Sequence, residues 1–305
     1  MNSINTNPSA MTALRSLSQT NSMLADTQSR ISTGFKVATA TDNAAYWSIA
    51  TTMRSDNKAL MTVQDALGLG SAKIDITYTG LEAGIDVVDE IKSKLVAARE
   101  PGVDRSKIQD EISQLQDQLI AIAESASFSG ENWLAVDSAA ANYAQIKSIV
   151  SSFTRTDNSV KTETIEIDTA NLKLFDANDQ SGILDSTFTT TGAAAVTVSV
   201  TTFDITVAGI DDADLDDLIS NVDAKLQAMT TSASETGAIK KRISTQTDFV
   251  STLIDSIDRG IGTLVDADMT KESTRLQALQ TQQQLGVQSL SIANSASQNI
   301  LALFQ

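Results

Sequence analysis

The sequence predicts a mainly α-helical fold, an extended helical hairpin or coiled-coil rod with paired terminal helices and a small β region inserted in the middle. Two observations lead to this fold class. An apolar residue recurs at every seventh position over six intervals, which is the period of a long helix that packs along another helix. The chain of 305 residues has only two prolines, so long stretches are free to be helical. The repeat, called the rod seam below, comprises Met53, Leu60, Leu67, Ile74, Leu81, Val88 and Leu95.

The two ends of the chain carry similar helical patterns. Apolar residues three and four apart predict one helix between residues 10 and 35 and another between residues 276 and 305. The second segment contains no charged residue. A single helix of this kind is marginally stable in water, so we expect it either to cover an intramolecular core or to self-assemble with the other end. The apolar residues that mark these helices are Leu14, Leu17, Leu24 and Ile31, then Leu276, Leu279, Leu290, Ile300 and Phe304.

Three further helices are predicted between the ends. The rod seam predicts a long helix over residues 44–99, which Pro101 and Gly102 bring to an end. Asp104 is the predicted N-cap of a shorter helix that ends before Gly130. Apolar spacing from Leu215 onward predicts a second long helix that continues to residue 265.

The middle of the chain follows a different pattern. Between residues 138 and 210 apolar and polar residues alternate with period two, which predicts strands at 165–167, 172–174, 196–200 and 203–207. No Lys or Arg lies between Lys173 and Lys225, an interval that begins in this part of the chain and contains ten Asp residues. Because charged side chains stay in water, we expect the β region to be outermost.

The composition argues against most catalytic classes. The chain has no His and no Cys, which removes imidazole bases, thiol nucleophiles and the commonest zinc and haem ligands. We therefore predict a protein that is not an enzyme and that uses no cofactor. The acidic run at residues 211–217 lacks the central Gly and the terminal Glu of an EF-hand, and acidic residues are favoured at a helix N-terminus. We therefore predict no metal site there.

The charge and the first residues limit the partners and the location. A net charge of -16 argues against nucleic acids and anionic membranes as partners, because binding to both depends on Lys and Arg. Residues 1–17 lack the basic start and the apolar core of a cleaved secretory signal. These features favour the cytoplasm, unless the export route recognises an uncleaved terminus.

Both ends of the sequence resemble the signatures of bacterial flagellins. At the N-terminal end the resemblance is carried by residues 24–34 (LADTQSRISTG) and 41–50 (TDNAAYWSIA). At the C-terminal end it is carried by residues 266–269 (DADM) and by Gln, Gly and Asn residues that follow. The NAAYWSIA segment looks like the variant found in the short flagellins of soil α-proteobacteria.

The resemblance implies a structural subunit that polymerises into a flagellar filament for swimming. It implies a terminal helical domain of an inner tube from residues 1–43 with 266–305, and a rod domain from residues 44–137 with 211–265. Residues 138–210 would form a small outer variable region. The apolar residues of the two ends would then make the inner-tube contacts. The amides expected to face the central channel are Gln283, Gln284, Gln288 and Asn294.

The resemblance also implies partners and a location. The expected partners are further copies of the chain, alone or mixed with related flagellins, an export chaperone with the type III export apparatus, and hook-associated junction and cap proteins. The filament would be extracellular, with export that needs no cleaved signal. Two alternatives stay open: a hook-associated junction protein with flagellin-like ends, and an adhesion or signalling role of the filament surface.

Two segments align with sites that immune receptors read in flagellins. Residues 29–50 align with the segment read by the plant flagellin receptor kinase, and residues 91–95 with the segment read by the vertebrate Toll-like flagellin receptor. Both depart from the eliciting pattern, so we expect weak activation. The residues that decide this comparison are Asp42, Asn43, Tyr46 and Trp47 in the first segment and Ile91, Ser93 and Leu95 in the second.

Overall fold

The computed structural model of the chain describes residues 7–141, 143–156 and 159–302, with residues 296–302 described by their backbone alone. The predicted mainly helical fold class is confirmed, and Asp104 caps its helix by accepting a hydrogen bond from the Ser106 N–H at 3.1 Å. No helix in these ranges combines the length and hydropathy needed to cross a bilayer. The helices are α1 (Pro8–Thr33), α2 (Ala44–Ala98), α3 (Arg105–Ser125), α4 (Asp212–Val265) and α5 (Met269–Ala302).

Short strands occupy the middle of the chain and pair two by two. The longest pair is the antiparallel hairpin of β4 and β5, whose register shifts between Val150 and Ser152. The pairs β1–β2 and β7–β8 are antiparallel, and β3–β6 is parallel. The strands are β1 (Ser127–Phe128), β2 (Glu131–Asn132), β3 (Ala135–Val136), β4 (Ile146–Thr156), β5 (Ser159–Asp168), β6 (Phe175–Asp176), β7 (Phe188–Thr189) and β8 (Thr197–Val198).

The strand predictions at residues 172–174 and 203–207 are wrong, because both segments lie in turns and irregular backbone. The alternation there reflects side-chain burial, with Phe203 and Ile205 each 1% exposed. Side chains of α3 satisfy the backbone where a neighbouring strand was expected. Gln116 Nε2 donates to the carbonyl of Phe203 at 3.2 Å, and the N–H of Ile205 donates to Gln109 Oε1 at 3.0 Å. Buried polar backbone needs such partners whether or not a sheet forms.

The chain divides into two compact units, one of Met1–Lys58 with Ile254–Gln305 and the other of Ala59–Leu253. Residues 138–210, the expected outer region, belong to the second unit, because the β region packs on helices of that unit. A Cβ added at Gly70 of α2 would lie 2.6 Å from Ile149 Cδ1, and Gln246 Nε2 of α4 donates to the Ser151 carbonyl at 2.8 Å.

The rod seam lies inside these units. Its six residues in Ala59–Leu253 are at most 2% exposed. A Cβ added at Gly84, between two seam residues, would lie 3.0 Å from Met229 Cε of α4 and 3.6 Å from Leu119 Cδ1 of α3. The apolar face of α2 is therefore covered by both neighbouring helices. Met53, the remaining seam residue, lies in the other unit and is half-buried.

Met53 packs against a small core in the unit that contains both ends of the chain. The buried members of this core are Val37, Ala50, Ile261 and Val265. They bring the segment after α1, the start of α2 and the end of α4 together. This core fixes the position from which the terminal helices start.

Candidate assembly surface

The two terminal helices pack against each other as a pair. Asn7 caps α1, because its side chain accepts a hydrogen bond from the Ala10 N–H at 3.1 Å, and Pro8 is favoured at the first helical position. Asn7 Nδ2 also donates to the carbonyl of Ala293 on α5 at 2.9 Å. At its other end α1 stops at Gly34, whose positive φ of 75° favours glycine.

Backbone hydrogen bonds hold the far end of the pair to the core of the same unit. The N–H of Lys36 donates to the Val265 carbonyl at 2.8 Å, and the N–H of Ala267 donates to the Gly34 carbonyl at 2.8 Å. Across the helices, Arg30 of α1 forms an ion pair with the largely buried Glu272 of α5 at 3.6 Å. Both terminal helices therefore start from a fixed point.

The face of α1 toward α5 follows a seven-residue repeat. Leu17, Leu24 and Ile31 are half-buried, and Thr20 and Thr27 between them are buried. The helix is rotated relative to the 3/4 pattern that included Leu14, which is 57% exposed. Thr20 and Thr27, rather than Leu14, therefore complete the face that α1 turns toward α5.

The face of α5 toward α1 matches the predicted spacing. Leu279 is 5% exposed, and Leu276 and Leu290 are half-buried. Gly286 lies against α1, where an added Cβ would be 3.2 Å from Leu17 Cδ1. The side chain of Ile300 and the whole of Phe304 lie outside the described residues.

The amides expected to face the channel separate into two groups. Gln283 is half-buried, and its Nε2 donates to Asn21 Oδ1 of α1 at 2.8 Å. That amide is therefore used within the subunit, because the period of α5 turns it toward α1. The side chains of Gln284, Gln288 and Asn294 are exposed.

The helix pair leaves large apolar side chains in contact with water. Met11 and Leu14 on α1 are 51% and 57% exposed, and Leu285, Val287 and Ile292 on α5 are 58%, 54% and 69% exposed. Sequence reasoning selected the buried face of α5 and missed Leu285 and Ile292. Their seven-residue spacing was the available signal for a second apolar line. Such exposed patches are typical of surfaces that another protein covers.

Comparison with known proteins identifies the family of this chain. The model of the bacterial flagellin N-terminal helical region matches residues 4–139, and that of the C-terminal helical region matches residues 219–304. The chain belongs to the bacterial flagellins. It is a structural subunit that polymerises into the extracellular flagellar filament.

Named flagellins align with the whole chain. Flagellin C of Rhizobium meliloti (strain 1021) is 53% identical over 325 residues, and the alignment covers 100% of both chains. The flagellin of Brucella melitensis biotype 1 is 42% identical over 309 residues, again with 100% of both chains covered. Among solved structures, the crystal structure of Bacillus cereus flagellin matches with a TM-score of 0.41 and 18% identity, covering 62% of this chain and 88% of that one.

Residues 29–50, which are expected to correspond to the plant receptor site, run from the end of α1 into the first turns of α2. Asp42 Oδ2 accepts hydrogen bonds from the N–H groups of Ala38 and Thr39, which lower the pKa of this carboxyl together with the Thr39 hydroxyl. Asn43 Oδ1 accepts from the N–H groups of Ala45 and Tyr46 at 3.1 Å each, as an N-cap does. Tyr46 and Trp47 follow on the first turn, 44% and 37% exposed.

Residues 91–95, which are expected to correspond to the vertebrate receptor site, are more buried. Ile91 and Leu95 are fully buried, whereas Ser93 is exposed. Two of the three aligned positions therefore belong to the core of their unit. This follows from the rod seam, because Leu95 is a member of it and Ile91 is four residues earlier on the same face.

The acidic run that precedes and begins α4 binds backbone in this flagellin. Asp214 Oδ2 accepts from the N–H of Ala194 at 3.1 Å, and Asp217 Oδ2 accepts from the N–H of Thr191 at 2.6 Å. A Cβ added at Gly192 would collide with Asp211 Oδ1. These carboxylates therefore close the preceding loop onto the helix N-terminus.

Proposed function

We propose that the α1–α5 pair is the surface through which one subunit joins the next in the filament. The observation that carries this proposal is the exposure of Leu14, Leu285 and Ile292, each more than half exposed. In a chain that polymerises, another copy can cover these side chains and gain the free energy of apolar burial. No residue after Arg275 is charged, so covering this part of α5 requires no ion to be desolvated.

The proposal includes the arrangement of the chain in the filament. Residues 1–43 and 266–305 form the inner tube, residues 44–137 and 211–265 the surrounding rod, and residues 138–210 the outer region. The exposed carboxylates of Asp168, Asp179 and Asp204 support an outward position for the last part. The exposed amides of Gln284, Gln288 and Asn294 support a channel lined by uncharged polar groups.

The proposal also covers partners. The subunit leaves the cell through the flagellar export apparatus with an export chaperone and without a cleaved signal, and it meets junction and cap proteins at the filament ends. Related flagellins are companions of the same polymer. The role is structural, without catalysis, cofactor, nucleic acid or membrane partner. No observation favours the junction-protein or adhesion alternatives, so neither is proposed.

Seeded polymerisation tests the proposal. Leu285→Asp and Leu14→Asp each place a carboxylate on the exposed surface of the pair, and burying this ion unpaired in a contact costs several kcal/mol. We expect both variants to remain in the supernatant after sedimentation, with unchanged thermal unfolding. Val207→Asp is the matched control, since Val207 is 43% exposed in the outer region. Pelleting filaments from both variants, as abundant as those of the control, would contradict the proposal.

A further inference from the structure

One side of the α1–α5 pair carries a groove. Side chains of both helices line it and enclose about 430 Å³, whereas one water molecule occupies roughly 30 Å³. The groove can therefore hold several side chains. None of its lining residues is charged; they include Ser16, Thr20 and Met23 on α1 and Gln282, Leu285 and Ser289 on α5.

The other side of the pair carries a ridge. Gln283 donates to Asn21 across the helices on that side, at 2.8 Å. Leu14 is seven residues before Asn21 and Met11 is three before Leu14, so both share this side of α1. The ridge, defined as Met11 and Leu14, is 51% and 57% exposed.

We propose that the groove binds the ridge of a second copy of this chain. The inference rests on the proposed function, in which the α1–α5 pair joins subunits, and it names the two surfaces that meet. Groove and ridge lie on different sides of the pair, so the contact is heterologous and leaves one free groove and one free ridge after each addition. A heterologous contact that does not close into a ring grows into an open helical filament.

The chemistry of the two surfaces favours a second copy over a small ligand. Met23 and Leu285 give the groove an apolar centre with uncharged polar residues beside it, and the ridge is apolar. No residue that lines the groove and no residue of the ridge is charged, and pairing them covers exposed apolar side chains on both sides of the pair at once. A small ligand in the groove would leave the ridge in water.

Cysteine cross-linking in assembled filaments tests the contact. The sequence contains no Cys, so introduced thiols react without background. Leu14→Cys subunits with one affinity tag are copolymerised with subunits that carry Ser16→Cys, Leu285→Cys or Ser289→Cys and a second tag. A short bismaleimide then joins neighbouring thiols. Val207→Cys replaces the groove variant in the control mixture.

We expect a dimer that carries both tags in at least one of the three groove mixtures and not in the Val207→Cys mixture. Electron microscopy first shows whether each mixture forms filaments, which separates the two proposals. Filaments without a two-tag dimer in any groove mixture would overturn the groove-to-ridge contact and leave the proposed assembly surface intact. Cross-linking of Leu14→Cys subunits to one another at the same yield would also overturn it, since ridge would then meet ridge.

Discussion

Gly286 of α5 lies directly against Leu17 of α1, so close that a Cβ on the glycine would be 3.2 Å from Leu17 Cδ1. This contact sets how near the two terminal helices approach. The groove depends on that spacing, because side chains of both helices line it. Glycine at this position therefore serves packing, at the usual cost of about 1 kcal/mol in helix propensity.

We expect Gly286→Val to separate α1 from α5 and to abolish polymerisation, because the branched side chain has no room beside Leu17. Seeded sedimentation measures the loss. Gly68→Val is the matched control, since nothing lies within 4 Å of a Cβ added there. Normal filament growth by Gly286→Val would show that the spacing of the pair does not control assembly.

The second prediction concerns the packing of the β4–β5 hairpin on α2. A Cβ at Gly70 would lie 2.6 Å from two atoms of Ile149, so Gly70→Ala should lower the free energy of unfolding by about 1–3 kcal/mol. Ile149→Ala removes the clash, and the double variant should lose less than the sum of the single variants. Urea unfolding measures the free energy of unfolding of each variant. Gly68→Ala should instead gain up to about 1 kcal/mol, and a Gly70→Ala variant that behaves like it would refute the close approach.

The third prediction concerns the stability of the fold at low pH. Burial of Asp176 by itself raises its pKa, but the Lys173 ammonium and the N–H groups of Ser138 and Asn178 outweigh burial, so the pKa is lowered. A hydrogen bond from the Thr190 hydroxyl lowers the pKa of Asp214. A lowered folded pKa gives stability that is present above the unfolded value of about 3.9 and is lost as pH falls toward the folded one.

We therefore expect the thermal midpoint to fall steeply below about pH 4, where unfolded Asp begins to take up protons. Burial raises the pKa of Asp185 and opposes this trend in part. Asp176→Asn should make the fall of the thermal midpoint in acid less steep, whereas Asp110→Asn, at an exposed position of α3, should leave it unchanged. An equally steep fall for the parent and for Asp176→Asn would contradict this prediction.

The fourth prediction concerns the order of the ends before assembly. The buried residues of α1 are Thr20 and Thr27, at 7% and 2% exposed, whereas the rod seam of α2 is at most 2% exposed from Leu60 to Leu95. Amides of α1 and α5 should therefore exchange with solvent faster in the monomer than those of α2, and should become protected in filaments. Hydrogen exchange measures both states. Equal protection of α1 and α2 in dilute monomer would favour a self-contained bundle.

The fifth prediction concerns immune receptors. We expect weak activation of the plant receptor, and partial recovery with Asn43→Asp plus Tyr46→Gly, because a small residue restores close approach to the backbone. For the vertebrate receptor, Ser93→Arg adds a guanidinium at an exposed position, whereas Ile91→Arg would bury one. Reporter assays test the response of both receptors, and thermal unfolding is the control for the stability of each variant. An unmodified protein as potent as a strongly eliciting flagellin would contradict the prediction.

The sequence by itself determined the helices and the face that α2 buries. A strict seven-residue repeat can be satisfied only by a helix with one covered side, so burial of Leu67, Ile74 and Leu81 follows from local periodicity. The ends of α2 and the N-cap of α3 were equally readable, because stop and cap signals act within one turn.

Only the tertiary structure decided how the parts outside the rod seam pack. Phe203 and Ile205 alternate as strand residues do, yet glutamine side chains of α3 form the hydrogen bonds of their backbone. No local sequence pattern predicts partners so far away in the chain. The rotation of α1 that buries Thr20 and exposes Leu14 was likewise set by the helix it meets, more than 250 residues away. The local sequence pattern determines which side chains can be buried. Which of two similar helix faces is buried depends on the helix that packs against it, because packing free energy arises only when both surfaces are present.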